Sequence, residues 1–250
     1  MDIATPALQS LRIEMHFDEM PLSSGTGFIA RGRNGMYLIT NRHNVTGRDQ
    51  YTGACLCAQG GVPNNVVIRY NKADSPGEFI SHREPLLAHD EPLWFEHPEL
   101  GKTADFVALK VTNAPGAIIH PIDPASVGVP IKLAPAEPVS VIGFPFGLTG
   151  PGSLPIWATG FLASEPHLDY DGVPQILIDC RTRPGQSGSP VFAYRATGSA
   201  HVEGGFGPNT YSGEISRFIG IYSGRIRSDS DIGTVWKASA IAELIQSLPE

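Results

Sequence analysis

Short apolar segments separated by turn residues recur through most of this 250-residue sequence, and they constrain its fold more than any other feature. Residues 11–17 alternate apolar and polar side chains, as a half-buried strand does. The 28 glycines and 22 prolines supply residues for tight turns between such segments. We therefore predict an all-β sandwich or barrel fold, with further strands at 28–30, 36–40, 65–70, 106–111, 139–142, 157–163, 175–178, 190–193 and 218–222.

The remaining segments are predicted to be turns and connections. Ser23 to Gly27 contains two glycines and predicts a turn or bulge before residues 28–30. Residues 46–103 are rich in loop-forming side chains, and the proline-rich stretch 115–138 is expected to connect two halves. All-β proteins of this length often form one unit, so we expect residues 1–250 to make a single domain.

The end of the chain changes to a helical period. Six apolar residues there share one helical face, and they are Trp236, Ala240, Ile241, Leu244, Ile245 and Leu248. This pattern predicts a C-terminal helix over about residues 235–248 that packs on the β core.

Composition narrows the possible partners and compartments. The formal net charge is −7 with no run of Lys or Arg, which argues against nucleic-acid binding. The N-terminus lacks the basic and apolar regions of a signal peptide, and no apolar stretch is long enough to span a membrane. We therefore expect a cytoplasmic protein without a membrane partner. Cys55, Cys57 and Cys180 show no disulfide or metal-site spacing and are expected to be free thiols.

A serine between glycines is the first candidate for chemistry. Ser187 lies between Gly185 and Gly188 in the stretch 183–192. Such a turn can expose the hydroxyl and aim backbone N–H groups at an oxyanion that develops during attack on a carbonyl. An ordinary Gly-Ser turn before a strand explains this motif equally well, so the motif alone does not show whether Ser187 is catalytic.

A histidine and an aspartate complete a possible constellation. His43 follows the apolar segment 37–40, and it is either a buried structural residue or a general base with a pKa near neutrality. Asp105 opens an apolar segment, where it either caps a turn or orients His43. Taken alone, the local sequence around Asp105 favours the turn-capping role. The three residues together are far more specific than any one of them.

With these three residues in their local motifs, the sequence resembles the trypsin-like serine peptidases, especially the bacterial HtrA-type and glutamyl endopeptidase branches. The His-Asp-Ser order is that of chymotrypsin and differs from subtilisins and α/β-hydrolases. The resemblance covers most of the chain and rests on the segments 25–29, 38–43, 105–109, 141–145, 185–190 and 218–224.

The resemblance implies two antiparallel six-stranded β-barrels, at about residues 9–115 and 130–234, followed by the C-terminal α-helix. The active site would lie in the cleft between the barrels, with His43, Asp105 and Ser187 as the catalytic triad. The backbone N–H groups of Gly185 and Ser187 would form the oxyanion hole. The resemblance implies a protein or peptide substrate and no metal or organic cofactor.

The resemblance also places residues around the substrate side chain that precedes the scissile bond. Arg181 would lie at the base of that pocket, with Thr182, Tyr222, Ser223 and Arg225 around it. An arginine there disfavours Lys or Arg in the substrate, because a cation would meet another cation. Two alternatives stay open: pairing of Arg181 or Arg225 with an acidic side chain, or a small apolar pocket with Arg181 pointing outward.

The sequence thus predicts a serine endopeptidase that works through an acyl-enzyme. A protease-fold module that binds or regulates partners with little turnover is the alternative from another class, since a fold alone does not establish function. An esterase would share the triad chemistry, but the His-Asp-Ser order disfavours it.

Overall fold

The computed structural model describes residues 3–73, 75, 77–126 and 128–249, and most of its regular structure is β. Met1 and Asp2, on which the expectation about the N-terminus partly rests, lie outside the described residues. The helices are α1 (Thr5–Gln9), α2 (Arg42–Thr46) and α3 (Ala238–Ser247), with 3-10 turns at Pro145–Gly147 and Pro151–Ser153. No helix within the described ranges is long and apolar enough to cross a membrane.

The first half of the chain forms one large antiparallel sheet and a small hairpin. Its strands are β1 (Ser10–Phe17), β2 (Met20–Gly32), β3 (Gly35–Thr40), β4 (Asn65–Lys72), β5 (Phe79–Pro85), β6 (Leu87–Ala88), β7 (Glu91–Pro92), β8 (Trp94–Phe95), β9 (Val107–Lys110) and β10 (Ala117–Ile118). The eight-stranded sheet follows the order β10-β4-β1-β2-β3-β9-β8, with β5 beside β4. Its outer strands β10 and β8 do not pair with each other in the described part of the chain. A closed first barrel is therefore not confirmed.

The second half forms a closed barrel. Its strands are β11 (Pro138–Gly143), β12 (Ile156–Leu162), β13 (Gln175–Asp179), β14 (Pro190–Arg195), β15 (Gly198–His201), β16 (Pro208–Tyr211), β17 (Ile215–Arg225) and β18 (Ile232–Lys237). Six of them close in the order β11-β12-β13-β18-β17-β14, and β15 pairs with β16 outside the barrel. The prediction of an all-β fold is confirmed, and so is one of the two predicted six-stranded barrels.

The segment 23–27 is a strand, so the predicted turn before residue 28 is wrong. Residues 20–32 form the continuous β2, which pairs with β1 on one side and β3 on the other. Gly27 packs closely within this sheet, because a Cβ there would lie 2.7 Å from the side chain of Leu38 and 3.0 Å from the Ile39 carbonyl. The glycines therefore permit close approach of neighbouring strands rather than a change in the direction of the backbone.

The strands β5 and β18 were not predicted, and the composition of β5 explains why the region 46–103 resembles a loop in sequence. It pairs with β4 from Asn65↔Pro85 to Asn71↔Phe79. Most of its residues are polar and at least partly exposed, so it lacks the apolar signal of a core strand.

The C-terminal helix is confirmed, but it begins later than predicted. Trp236 belongs to β18, where it pairs with Gln175 of β13 and Ile221 of β17. The helix α3 starts at Ala238, and its apolar residues share a buried cluster with Trp236. Trp236 therefore matched the helical period only because it packs against the same core.

Aromatic side chains from the two halves meet in a shared core that positions the site. Phe28 of β2 packs edge-on against Phe218 of β17, with ring centroids 5.3 Å apart. Phe106 packs against Trp236 at 5.4 Å. Both contacts belong to one buried cluster that also includes α3. Because Phe106 directly follows Asp105, this packing fixes where the carboxylate enters the cleft.

Candidate active site

His43 and Asp105 lie beside each other because the strands next to them are paired. His43 is in α2, just after β3 ends, and Asp105 lies shortly before β9 begins. Thr40 of β3 pairs with Val107 of β9, which brings the two segments together. The His43 Nδ1 lies 2.7 Å from Asp105 Oδ2, and the backbone N–H of His43 donates to Oδ1 at 3.0 Å. The aspartate therefore fixes both the ring and the backbone of the histidine.

Two further side chains hold Asp105, and their roles were missed in the sequence analysis. The Ser223 hydroxyl donates to Asp105 Oδ2 at 2.5 Å, and the Asn41 side-chain amide donates to the Asp105 carbonyl at 2.5 Å. Asp105 is 2% exposed, so the Ser223 hydroxyl replaces water that the carboxylate loses, and the Asn41 amide does the same for the backbone carbonyl. Asn41 lies next to His43 in the motif 38–43, whereas nothing local in the sequence links Ser223 to Asp105.

The electrostatic surroundings favour the protonated imidazole of His43. Burial lowers the pKa of His43, but the charge of Asp105, the hydrogen bond to it and the charge of Asp49 together raise that pKa more strongly. The net pKa lies above the ordinary histidine value. A histidine with this pKa can accept a proton readily and hold it while negative charge develops nearby.

Ser187 lies in the loop between β13 and β14 and faces the same cleft. That cleft has a volume of about 500 Å³ and is lined by His43, Asp105, Gly185 and Ser187, among others. The Ser187 hydroxyl donates to the Ser223 carbonyl at 3.3 Å. It makes no hydrogen bond with the His43 ring in the described residues. The structure therefore brings the three predicted residues to one cleft, with the hydroxyl turned toward β17.

The backbone of the Ser187 loop leaves two amide donors free. Gly185 has a φ of 94° and Gly188 a φ of 87°, which favour glycine. Among the described residues, no acceptor pairs with the N–H groups of Gly185 or Ser187. Both residues line the cleft, so both amides are available to a ligand oxygen there.

The predicted pocket residues occupy different places. Arg181 does not line the cleft; its side chain is 85% exposed and its Nε lies 3.7 Å from Asp231. Thr182 and Tyr222 are buried, and their hydroxyls lie 2.5 Å apart. Burial raises the pKa of Tyr222 to about 12, so its hydroxyl stays protonated. Arg225 is half-buried and lines the cleft.

A loop of the first half supplies cleft residues that the sequence analysis did not identify. Asp49, Tyr51 and Leu56 line the same cleft as Arg225, and Tyr51 is 83% exposed. Hydrogen bonds from Thr52 and Tyr51 lower the pKa of Asp49, which keeps it ionised near His43. Their positions in a glycine-rich loop gave no periodic signal that could have located them.

The cysteines and acidic residues do not suggest a metal centre. Cys55, Cys57 and Cys180 are free thiols. Across the described ranges, no three His, Cys, Asp or Glu side chains cluster closely enough to hold a metal ion.

Residues 25–199 match the model of the trypsin-like peptidase domain family. This span is most of the chain and contains His43, Asp105 and Ser187, so the chain belongs to that family. The comparison with curated protein sequences gives no match.

Solved serine proteases share the fold at low sequence identity. The serine endoprotease from Yersinia pestis is 13% identical with a TM-score of 0.53, over 97% of this chain and 65% of that one. The active form of the Rv3671c protease from M. tuberculosis is 16% identical with a TM-score of 0.50, over 98% of this chain and 84% of that one. At such identity the similarity shows the trypsin-like fold alone.

Proposed function

We propose that this protein is a serine endopeptidase in which Ser187 attacks the peptide carbonyl, His43 acts as general base and Asp105 orients the histidine. The observation that supports this most strongly is the His43–Asp105 pair, with its 2.7 Å contact, in a cleft that Ser187 also lines. The family membership supports peptidase activity in general terms.

The proposed reaction follows the positions of these groups. The Ser187 hydroxyl rotates from the Ser223 carbonyl toward His43 Nε2, which takes its proton as the oxygen attacks the carbonyl carbon. The N–H groups of Gly185 and Ser187 stabilise the resulting oxyanion. His43 then protonates the leaving amine, and water hydrolyses the acyl-enzyme by the same route. The Asp105 carboxylate stabilises the imidazolium.

Cleavage of a peptide library by the purified protein tests this function. Ser187→Ala should lower kcat by about 10⁶-fold, the loss seen when a comparable nucleophile is removed. Ser228→Ala is the matched control, since Ser228 also lines the cleft. A Ser187→Ala protein that cleaves peptides at the wild-type rate would contradict the nucleophile assignment. A folded wild-type protein without turnover would favour the binding or regulatory module, and faster hydrolysis of esters than of peptides would favour an esterase.

The residues of the cleft also bear on whether the substrate side chain near the scissile bond is acidic or small and apolar. The Arg225 guanidinium forms no hydrogen bond or ion pair with any described residue, although this residue is half-buried in the cleft. A partly desolvated guanidinium is stabilised by a carboxylate, so we propose that Arg225 selects an acidic side chain near the scissile bond. Arg181 already faces Asp231 and lies outside the cleft lining.

The same library distinguishes the two arginines. We expect Asp or Glu to be enriched beside the cut, and this enrichment should disappear in Arg225→Ala but persist in the control Arg181→Ala. A profile dominated by small apolar residues, unchanged in Arg225→Ala, would support the apolar pocket instead.

A further inference from the structure

The nucleophile loop contacts a buried hydroxyl from the opposite half of the molecule. Thr26 lies in β2 and is fully buried. Its hydroxyl donates to the Gly185 carbonyl at 2.8 Å and accepts from the Phe144 N–H at 3.2 Å. A single side-chain oxygen therefore joins the first sheet, the turn that follows β11 and the loop before Ser187.

The backbone of Thr26 reinforces this connection. Its N–H donates to the Ser187 carbonyl at 2.9 Å, and its carbonyl accepts from the Thr40 hydroxyl at 2.8 Å. A Cβ on Gly188 would lie 2.0 Å from the Thr26 carbonyl, so only glycine permits this approach. Thr26 thus contacts the carbonyl groups on both sides of Gln186.

The turn that Thr26 holds controls the direction of a candidate oxyanion donor. The Phe146 N–H in this turn donates to the Pro184 carbonyl at 2.6 Å. The peptide between Pro184 and Gly185 is trans, so its N–H points opposite to its carbonyl. Since the carbonyl faces the turn, the Gly185 N–H points away from the turn, at a residue that lines the cleft.

Packing between the turn and the loop is tight. A Cβ on Gly185 would lie 2.4 Å from the Phe144 carbonyl and 2.9 Å from the Phe146 nitrogen. A shift of the turn would therefore be transmitted to Gly185 through backbone contact.

We infer that Thr26 is a positioning residue for the oxyanion hole. Its hydroxyl acts through the Gly185 carbonyl and the Phe144 N–H and touches no substrate. This inference rests on the proposed function of Ser187. Donors must be aligned before charge develops, so a misaligned loop should raise the barrier to the chemical step more than it weakens substrate binding.

Thr26→Val tests the inference, because valine keeps the shape and removes the hydroxyl. We expect kcat for peptide cleavage to fall about tenfold or more with little change in KM, as is typical when transition-state contacts are weakened. Affinity for a peptide boronic acid, which forms a tetrahedral adduct with serine, should fall in parallel. Affinity for the product peptide should not change. Thr26→Ser should restore kcat, and Thr26→Cys should lie between, since a thiol is a weak donor.

Ser10→Ala is the matched control. Ser10 is also buried, and its hydroxyl also crosses between the halves, donating to the Ile142 carbonyl at 2.7 Å. Its loss should lower thermal stability without changing kcat. Equal kcat in Thr26→Val and the wild type, or equal loss of boronic acid and product affinity, would overturn the inference. If Thr26→Val does not fold, equal kcat in Thr26→Ser and Thr26→Cys would overturn it.

A serine-directed probe distinguishes failure of the proposed function from failure of the role of Thr26. A wild-type protein that forms no adduct at Ser187 would contradict the proposed function. An adduct that forms at the same rate in the wild type and Thr26→Val would contradict the role of Thr26 alone.

Discussion

The two sides of the cleft are held in place by different kinds of contact. On the His43 side, side chains make the contacts: Asp105 binds the histidine ring at 2.7 Å and receives the Ser223 hydroxyl at 2.5 Å. On the Ser187 side, the backbone makes most of them. The Gly188 N–H donates to the Tyr222 carbonyl at 3.0 Å, and the Ser187 carbonyl accepts from the Thr26 N–H at 2.9 Å.

This difference indicates how each side responds to substitution. The His43 side should be sensitive to loss of individual polar groups, because each buried group has few partners. The Ser187 side should be most sensitive to a change in backbone conformation, including one caused by loss of the Thr26 hydroxyl that bonds its backbone. Substitutions on both sides can test this contrast.

Gly185→Ala should have the largest effect in this comparison. A Cβ at a φ of 94° is strained and would lie 2.4 Å from the Phe144 carbonyl. We expect kcat to fall by about 10²-fold or more, the order seen when one oxyanion donor is lost. We also expect the free energy of unfolding to fall by about 1–3 kcal/mol from backbone strain alone. Steady-state kinetics and denaturant unfolding measure the two effects.

Gly198→Ala is the control for that experiment. Gly198 has a similar φ of 104°, but a Cβ added there would meet no described atom within 4 Å, so the substitution introduces the strain without the contact. The Gly198→Ala protein should be less stable than the wild type and have the same kcat. If Gly185→Ala also kept kcat, the backbone of the Ser187 loop would not matter as claimed.

Ser223→Ala should have an intermediate effect on the other side of the cleft. It removes the hydroxyl that donates to the buried Asp105 carboxylate. A hydrogen bond to a charged group contributes about 1.5–3 kcal/mol, and a loss of about 1.4 kcal/mol in the transition state lowers the rate tenfold. We therefore expect kcat/KM to fall at least about tenfold. Ser140→Ala, which removes a buried hydroxyl bonded to Thr159 at 2.9 Å, should leave kcat/KM unchanged. Equal rates in both variants would show that Asp105 needs no help from Ser223.

Asp49→Asn should have the smallest effect, a change in pH dependence. The Asp49 charge raises the pKa of His43, so its removal should lower that pKa. Neutral His43 is the base, and it would then be available at lower pH. The acidic limb of kcat/KM should therefore move to lower pH in a pH–rate profile. Asparagine keeps the Oδ1 that accepts from the backbone of Tyr51 and Thr52. A limb that stayed in place, or moved upward, would contradict the proposed coupling.

Features that depend on local sequence pattern could be predicted from the sequence. Strands with alternating apolar residues were located well, and so were three residues in characteristic local motifs that the structure brings to one cleft. Their catalytic roles stay predictions. Thr26 was assigned to a turn because glycines flank it, although these glycines permit close packing in a strand.

Contacts between distant segments could not be predicted from local pattern. Ser223 and Asp105 are 118 residues apart, and the sequence resemblance predicts Ser223 only near the substrate. Arg181 was expected at the pocket base, but Asp231 from the loop before β18 lies beside its exposed side chain. In both cases the partner is set by how the fold brings segments distant in sequence together.

The most direct test of the central claim is the reaction of the protein with a fluorophosphonate probe, followed by peptide mapping of the adduct. We expect a single adduct at Ser187 in the wild-type protein, much slower labelling in His43→Ala and no adduct in folded Ser187→Ala. An adduct on a different serine, or labelling of Ser187 at the wild-type rate in His43→Ala, would contradict activation of Ser187 by His43.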